Sequence, residues 1–118
     1  MKLQSVPRLA ILLAGLTFTL SAAQVDGILM DKMCSMKAEK GGQAAAAMHD
    51  TKCALMPDCE KSGYGVFTAE NKFVMLDAAG NTKASAALRA TKKKDNLKVT
   101  VTGEMDGDTV KVKTLKLQ

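Results

Sequence analysis

All three cysteines and the single histidine of this 118-residue chain fall within 26 consecutive positions. They are spaced Cys34-x14-His49-x3-Cys53-x5-Cys59. Three sulfurs and one imidazole form a complete donor set for a tetrahedral Zn²⁺. Soft thiolate and thioether donors equally suit Cu⁺, and Met30, Met33, Met36, Met48 and Met56 crowd the same segment. The expected metal ligands are therefore Cys34, His49, Cys53 and Cys59, with zinc or copper as the ion. A disulfide competes with this reading: Cys53–Cys59 or Cys34–Cys59, with one thiol left over and the histidine on the surface. A mixed arrangement also stays open, with one disulfide and a weaker site built from His49 and the third cysteine. Methionine is an adaptable core filler, so filler is expected for at least three of the five, with Met33 and Met36 beside Cys34 as the exceptions.

Other chemistries have less to stand on. Haem attached through thioethers needs Cys-x-x-Cys-His, which is absent. Thiol-redox exchange is disfavoured without Cys-x-x-Cys. Cys53 with His49 resembles a thiolate–imidazole pair, yet no nucleophile elbow, oxyanion-hole motif or paired-carboxylate signature accompanies it, so no catalytic residue is assigned. Binding of single-stranded nucleic acid wants aromatic platforms in a basic groove. Beyond residue 23 the chain offers only Tyr64, Phe67 and Phe73, so no nucleic-acid partner is expected, and any protein partner is left open.

The segment preceding the site reads as a signal peptide, residues 1–23. Lys2 and Arg8 supply a positive start, Leu9 to Leu20 is a short apolar run, and Ser21 and Ala23 place small residues for cleavage before Gln24. The run is shorter than the roughly 20 residues that span a bilayer, so no stable membrane span is expected after cleavage. Removing it leaves 95 residues and lowers the formal charge from +5 to +3, too mild a bias to name a partner. The expected locale is periplasmic or secreted, where thiols tend to oxidise. A single domain over 24–118, with its Cys/His insert at 34–60, buries only about 60–65% of its unfolded surface, so a metal or a disulfide would help to hold it.

The elements that must position the site follow from periodicity. Val25 to Met33 suits a first strand, with Ile28 and Met30 on one face and Leu29 on the other, ending at Cys34. Glu39 to Gly42 suits a loop. Gln43 to Met56 suits a helix stopped by Pro57, which would stack His49 and Cys53 on one face. Gly63 to Thr68 and Lys72 to Asp77 suit short strands around a tight turn at Ala69 to Asn71, with Asn71 left-handed. Thr82 to about Lys92 suits a helix capped by Asn81 and buried through Ala84, Ala87, Leu88 and Thr91. Lys92 to Lys94 read as its solvated end. Leu97, Val99 and Val101 alternate inward, Asp106-Gly107 marks a hairpin, and Val110 and Val112 continue inward. Beyond Lys113 the apolar phase flips to Leu115 and Leu117, which predicts a bulge or barrel corner. The fold class is therefore mainly β with α+β content: a five-stranded barrel like those that bind oligonucleotides and oligosaccharides (OB-like). One helix lies between strands three and four, and the helical Cys/His insert lies between strands one and two. An α+β sandwich with an open sheet has the same element order.

Three segments carry a resemblance. Gly27-Ile-Leu-Met-Asp-Lys-Met-Cys34, His49-x3-Cys53-Ala-Leu-Met-Pro-x-Cys59 and Ser62-Gly-Tyr-Gly-Val66 resemble small exported bacterial proteins of unassigned function with a Cys/His-rich insert. The tail, Lys93 to Gly103 followed by Asp106-Gly-Asp-Thr-Val110, is similar to the same group. The resemblance implies an exported OB-like domain and brings no activity with it.

Overall fold

The computed structural model describes Gly15 and residues 22–118; the expected signal segment lies outside the described residues apart from Gly15, Ala22 and Ala23. Five strands close into a barrel: β1 (Ala23–Asp31), β2 (Tyr64–Thr68), β3 (Phe73–Leu76), β4 (Lys98–Asp106) and β5 (Thr109–Leu117). Around the barrel the order is β1-β2-β3-β5-β4, with β4 returning to β1. Only the β3–β5 contact is parallel. Closure removes the open-sheet alternative and establishes the OB-like barrel with a helical insert between β1 and β2.

Alternation decides what each strand buries. Leu29, Val66, Leu76, Val99, Val101, Val110 and Val112 share one apolar core. At the neighbouring positions Ile28, Met30 and Phe67 point the other way and form a second cluster with Ala38 and Ala46 of the insert. From Ile28 onward strand β1 is thus buried on both faces, by the barrel on one side and by the insert on the other. The phase flip in the last strand is a bulge: Thr102 pairs with Thr114 but Gly103 pairs with Val112, leaving Lys113 without an opposite residue. A Cβ on Gly103 would lie 2.0 Å from the Lys111 carbonyl oxygen, so the bulge requires glycine across from it. The hairpin tip falls one residue later than expected. Asp106 pairs with Thr109, and Gly107 takes φ +61° at the first turn position, where a twist-compatible hairpin turn needs it. Asn71 is left-handed, φ +59°, as its turn predicts.

The helices depart further from expectation. Helix α1 runs Lys32–Met48, so strand β1 ends before Cys34 and the Glu39–Gly41 stretch is helical. Only Gly42 breaks it, with φ +70° and ψ −158°, a kink open to glycine alone. Helix α2 (Thr51–Ala54) and helix α3 (Pro57–Ser62) are short and separate. Pro57 therefore starts a helix instead of ending one, at the first position where its missing N–H costs nothing. Helix α4 spans Ala78–Ala90 and is capped by Asp77, whose side chain accepts from the Gly80 N–H at 2.9 Å. Asn81, expected as the cap, instead accepts the Tyr64 N–H and donates to the Leu76 and Asp77 carbonyls. Ala84 and Leu88 of α4 enter the barrel core. Among the described residues no helix is long and apolar enough to cross a membrane.

Candidate metal centre

Each cysteine is the third residue of a helix: Cys34 in α1, Cys53 in α2 and Cys59 in α3. For two of them the local cause is the same. Asp31 caps α1 and accepts the Cys34 N–H at 2.9 Å; Asp50 caps α2 and accepts the Cys53 N–H at 2.6 Å. An acceptor three residues before the cysteine satisfies an otherwise orphaned helical donor. Asp-x-x-Cys thus occurs twice, at Asp31-Lys-Met-Cys34 and Asp50-Thr-Lys-Cys53.

Hydrogen bonds draw these helix starts together. The Lys32 N–H donates to the Gly63 carbonyl at 2.9 Å and the Met33 N–H to the Ser62 hydroxyl at 3.4 Å, joining the start of α1 to the end of α3, where the Ser62 hydroxyl donates to the Cys59 carbonyl at 2.6 Å. Thr51 donates its N–H to the Lys94 carbonyl and its hydroxyl to the Lys93 carbonyl, which fixes the start of α2. The segment expected to be only a solvated helix end is therefore a backbone anchor, although the lysine side chains remain exposed. The buried Tyr64 hydroxyl donates to the Ala54 carbonyl at 2.6 Å and ties α2 to the barrel. Burial pushes the pKa of that hydroxyl up to about 12, helped by the charges of Glu60 and Asp31.

Cys34, Cys53 and Cys59 converge, with their sulfurs all within 4.8 Å of one another. All three are free thiols, and Cys34 Sγ stands 3.8 Å from Cys53 Sγ. The expectation that His49 and Cys53 stack on one helical face is corrected. Helix α1 ends at Met48 and His49 takes ψ 124°, because the Asp50 cap starts a new helix at Thr51. His49 reaches the cluster from the other side. Its ring, the Asp31 carboxylate and Cys34 Sγ form a second set of donors within 4.8 Å. The four expected ligands, with Asp31 as a fifth group, thus lie close together as two threesomes that share Cys34.

Asp31 is the residue that sequence reasoning missed. It is fully buried, and its Oδ1 lies 2.9 Å from His49 Nε2. Neither atom makes a well-aligned hydrogen bond to any described group. Burial works to raise the Asp31 pKa, but the contact with His49 and the Cys34 N–H outweigh it, holding the carboxyl below its ordinary range. Burial raises the Cys34 and Cys59 thiols, and the Asp31 charge raises them further. A cation among these groups reverses that balance by stabilising the thiolates.

An open recess of about 340 Å³ reaches Cys34, His49 and Cys53, with Met30, Met48 and Lys37 among its walls. Comparison with protein-family models, curated proteins and solved structures returns no match.

Proposed function

We propose that this chain is a small exported binding protein that holds a soft transition metal, Zn²⁺ or Cu⁺, through Cys34, His49, Cys53 and Cys59. Asp31 acts on the histidine side of the centre. The convergence of three free sulfurs is the observation that carries the reading. Sulfurs each about 2.3 Å from a tetrahedral Zn²⁺ stand about 3.8 Å apart, which is the Cys34–Cys53 separation of 3.8 Å. The carboxylate beside His49 matches the usual support of a metal-binding imidazole, which fixes ring orientation and raises ligand basicity.

Export rests on the Lys2/Arg8 start, the Leu9–Leu20 run and the small residues before Gln24. It also rests on the resemblance of the Cys34–Cys59 insert to small exported bacterial proteins.

A disulfide-stapled binding module without metal is the second reading. The three sulfurs are close enough for a modest rearrangement to join two of them. That arrangement leaves the third thiol and the buried Asp31–His49 pair without a task. Titrating the reduced chain with Co²⁺ separates the two readings. Thiolate-to-cobalt charge-transfer absorption saturating at one ion per chain, and displaced by Zn²⁺, is the expected result. No such band, together with two thiols lost to labelling in the protein as isolated, establishes the disulfide instead.

A further inference from the structure

Among the described residues, the large hydrophobic side chains left exposed are all methionines: Met33, Met36, Met48, Met56 and Met105. Four of these five belong to the insert. Core filling, expected for at least three of the five methionines with Met33 and Met36 as the exceptions, is therefore corrected for Met48 and Met56; Met30, on β1, is buried, at 1% exposure. The exposed four also follow the donors along the chain. Met33 precedes Cys34 and Met36 lies two residues beyond it; Met48 precedes His49, and Met56 is three residues from both Cys53 and Cys59. Met48, 79% exposed, stands on the wall of the recess that opens onto Cys34, His49 and Cys53.

We propose that the centre carries monovalent copper as an exchangeable cargo, loaded and released past a rim of exposed thioethers, with Met48 on the wall of the recess and Met33, Met36 and Met56 beside the donors in the sequence. This rests on the metal-centre reading above and names its ion and its mode of use. Two features separate cargo from a structural ion. A structural Zn²⁺ site is closed on all sides, whereas here a recess of about 340 Å³ leads from solvent to two of the sulfurs. Thioether sulfur is a poor ligand for Zn²⁺ and a good one for Cu⁺, so the exposed Met48 at the entrance adds affinity for one ion only. Transfer is ligand exchange at constant oxidation state. An incoming Cu⁺ held by a thioether gains a bond to a cysteine sulfur, the thiol proton passes to water, and the thioether bond then breaks. Two thiolates suffice for Cu⁺, which leaves the third free to take part in exchange.

The test uses the reduced full chain and a variant combining Met33→Leu, Met36→Leu, Met48→Leu and Met56→Leu. Leucine keeps apolar volume while removing sulfur, and such swaps are well tolerated. Cu⁺ is supplied as its complex with a chromophoric chelator, and Zn²⁺ affinity is measured in parallel. The expected result is removal of one Cu⁺ per chain from the chelator, with transfer slowed about tenfold in the variant. Zn²⁺ affinity should be unchanged by the same substitutions. Transfer at the same rate in both proteins overturns the rim and leaves the methionines as an apolar docking face. Tight Zn²⁺ binding with no removal of Cu⁺ overturns the copper assignment while the metal centre stands. Failure to hold either ion removes the metal reading itself. Should the fourfold variant lose its native circular dichroism, Met48→Leu alone carries the test, with a slower transfer again expected.

Discussion

The barrel and its insert are stabilised in different ways. The barrel core is built from Leu29, Val66, Leu76, Leu97, Val99, Val101 and Val110, all nearly or fully buried, with Leu88 of α4 closing it. The insert offers Ala38 and Ala46 to the outer face of β1 and β2, and its buried groups include Ser35 and His49, with Asp31 at its root. What holds it otherwise is a set of hydrogen bonds spread along it. Gln43 donates to the Thr68 carbonyl and Asn71 side chain, Thr51 reaches the 93–94 segment, and Glu60 pairs with Arg89. Alanine buries little apolar area, and each such hydrogen bond contributes about 1 kcal/mol. The barrel therefore rests mainly on apolar burial and the insert mainly on hydrogen bonds, so an ion held by the donor cluster would add order chiefly to the insert.

The sharpest way to break this comparison is to damage the barrel. Leu29→Ala opens a cavity at a fully buried position next to the site and should lower the unfolding free energy by about 3 kcal/mol. Urea denaturation checks it, and the loss should be the same with and without metal. A loss that disappears when metal is added would mean that the centre, and not the barrel, dominates stability.

Next in size is Gly103→Ala. The added methyl would sit 2.0 Å from the Lys111 carbonyl oxygen, which is backbone and cannot move aside alone. The bulge must shift, at a cost of about 2 kcal/mol, seen as a lower thermal midpoint with the thiol cluster still able to bind metal. Unaltered stability would show that the bulge register is loose.

These two sites also show how much the sequence made legible. Strict alternation in Leu97–Val101 and the phase flip beyond Lys113 identified the last hairpin and its bulge, because a strand with one buried face has little freedom of register. The insert was legible as chemistry and misread as structure. Four alanines and Pro57 suggested one helix through His49 and Cys53, but Asp50 imposes a cap, and a cap is decided by one side-chain hydrogen bond that no periodicity reveals. The repeated Asp-x-x-Cys spacing was the available signal for both caps. It would also have pointed to Asp31, whose burial depends on the docking of α1 and is invisible in an alternating strand pattern. The expected signal segment, residues 1–23, lies outside the described residues apart from Gly15, Ala22 and Ala23.

Asp31→Asn tests the root of the insert. Asparagine can still cap α1, but it removes the charge facing His49, and a hydrogen-bonded buried charge of this kind contributes about 2 kcal/mol. The folded-state pKa of Asp31 lies below its unfolded value. Its stabilisation is therefore complete above the ordinary carboxylate range, about pH 4, and is lost as pH falls through the lower folded value. The stability difference between wild type and Asp31→Asn should be present at about pH 5 and close as the pH falls below about 4. A difference that persisted undiminished at still more acidic pH would reverse the assignment of Asp31 as a carboxylate stabilised in the folded state.

The smallest expected change in the fold, and the most informative about the insert, comes from His49→Ala. The ring contributes one donor beside Cys34 and is the partner of Asp31. Its removal should weaken metal affinity by at least about tenfold, while without metal the cost is that of leaving buried Asp31 without its partner, about 1 kcal/mol, since the barrel shares none of its core with His49. A disulfide between any two of the three cysteines does not use the imidazole, so a stapled module would show only that small, metal-independent difference between wild type and variant. The comparison is made by thermal melts of the reduced chain with and without metal. If metal raises the wild-type midpoint and a chelator reverses it, and the His49→Ala rise is smaller, the insert draws its order from the ion. If the melts of both proteins respond only to reduction, the insert is held by sulfur–sulfur chemistry and the metal reading falls.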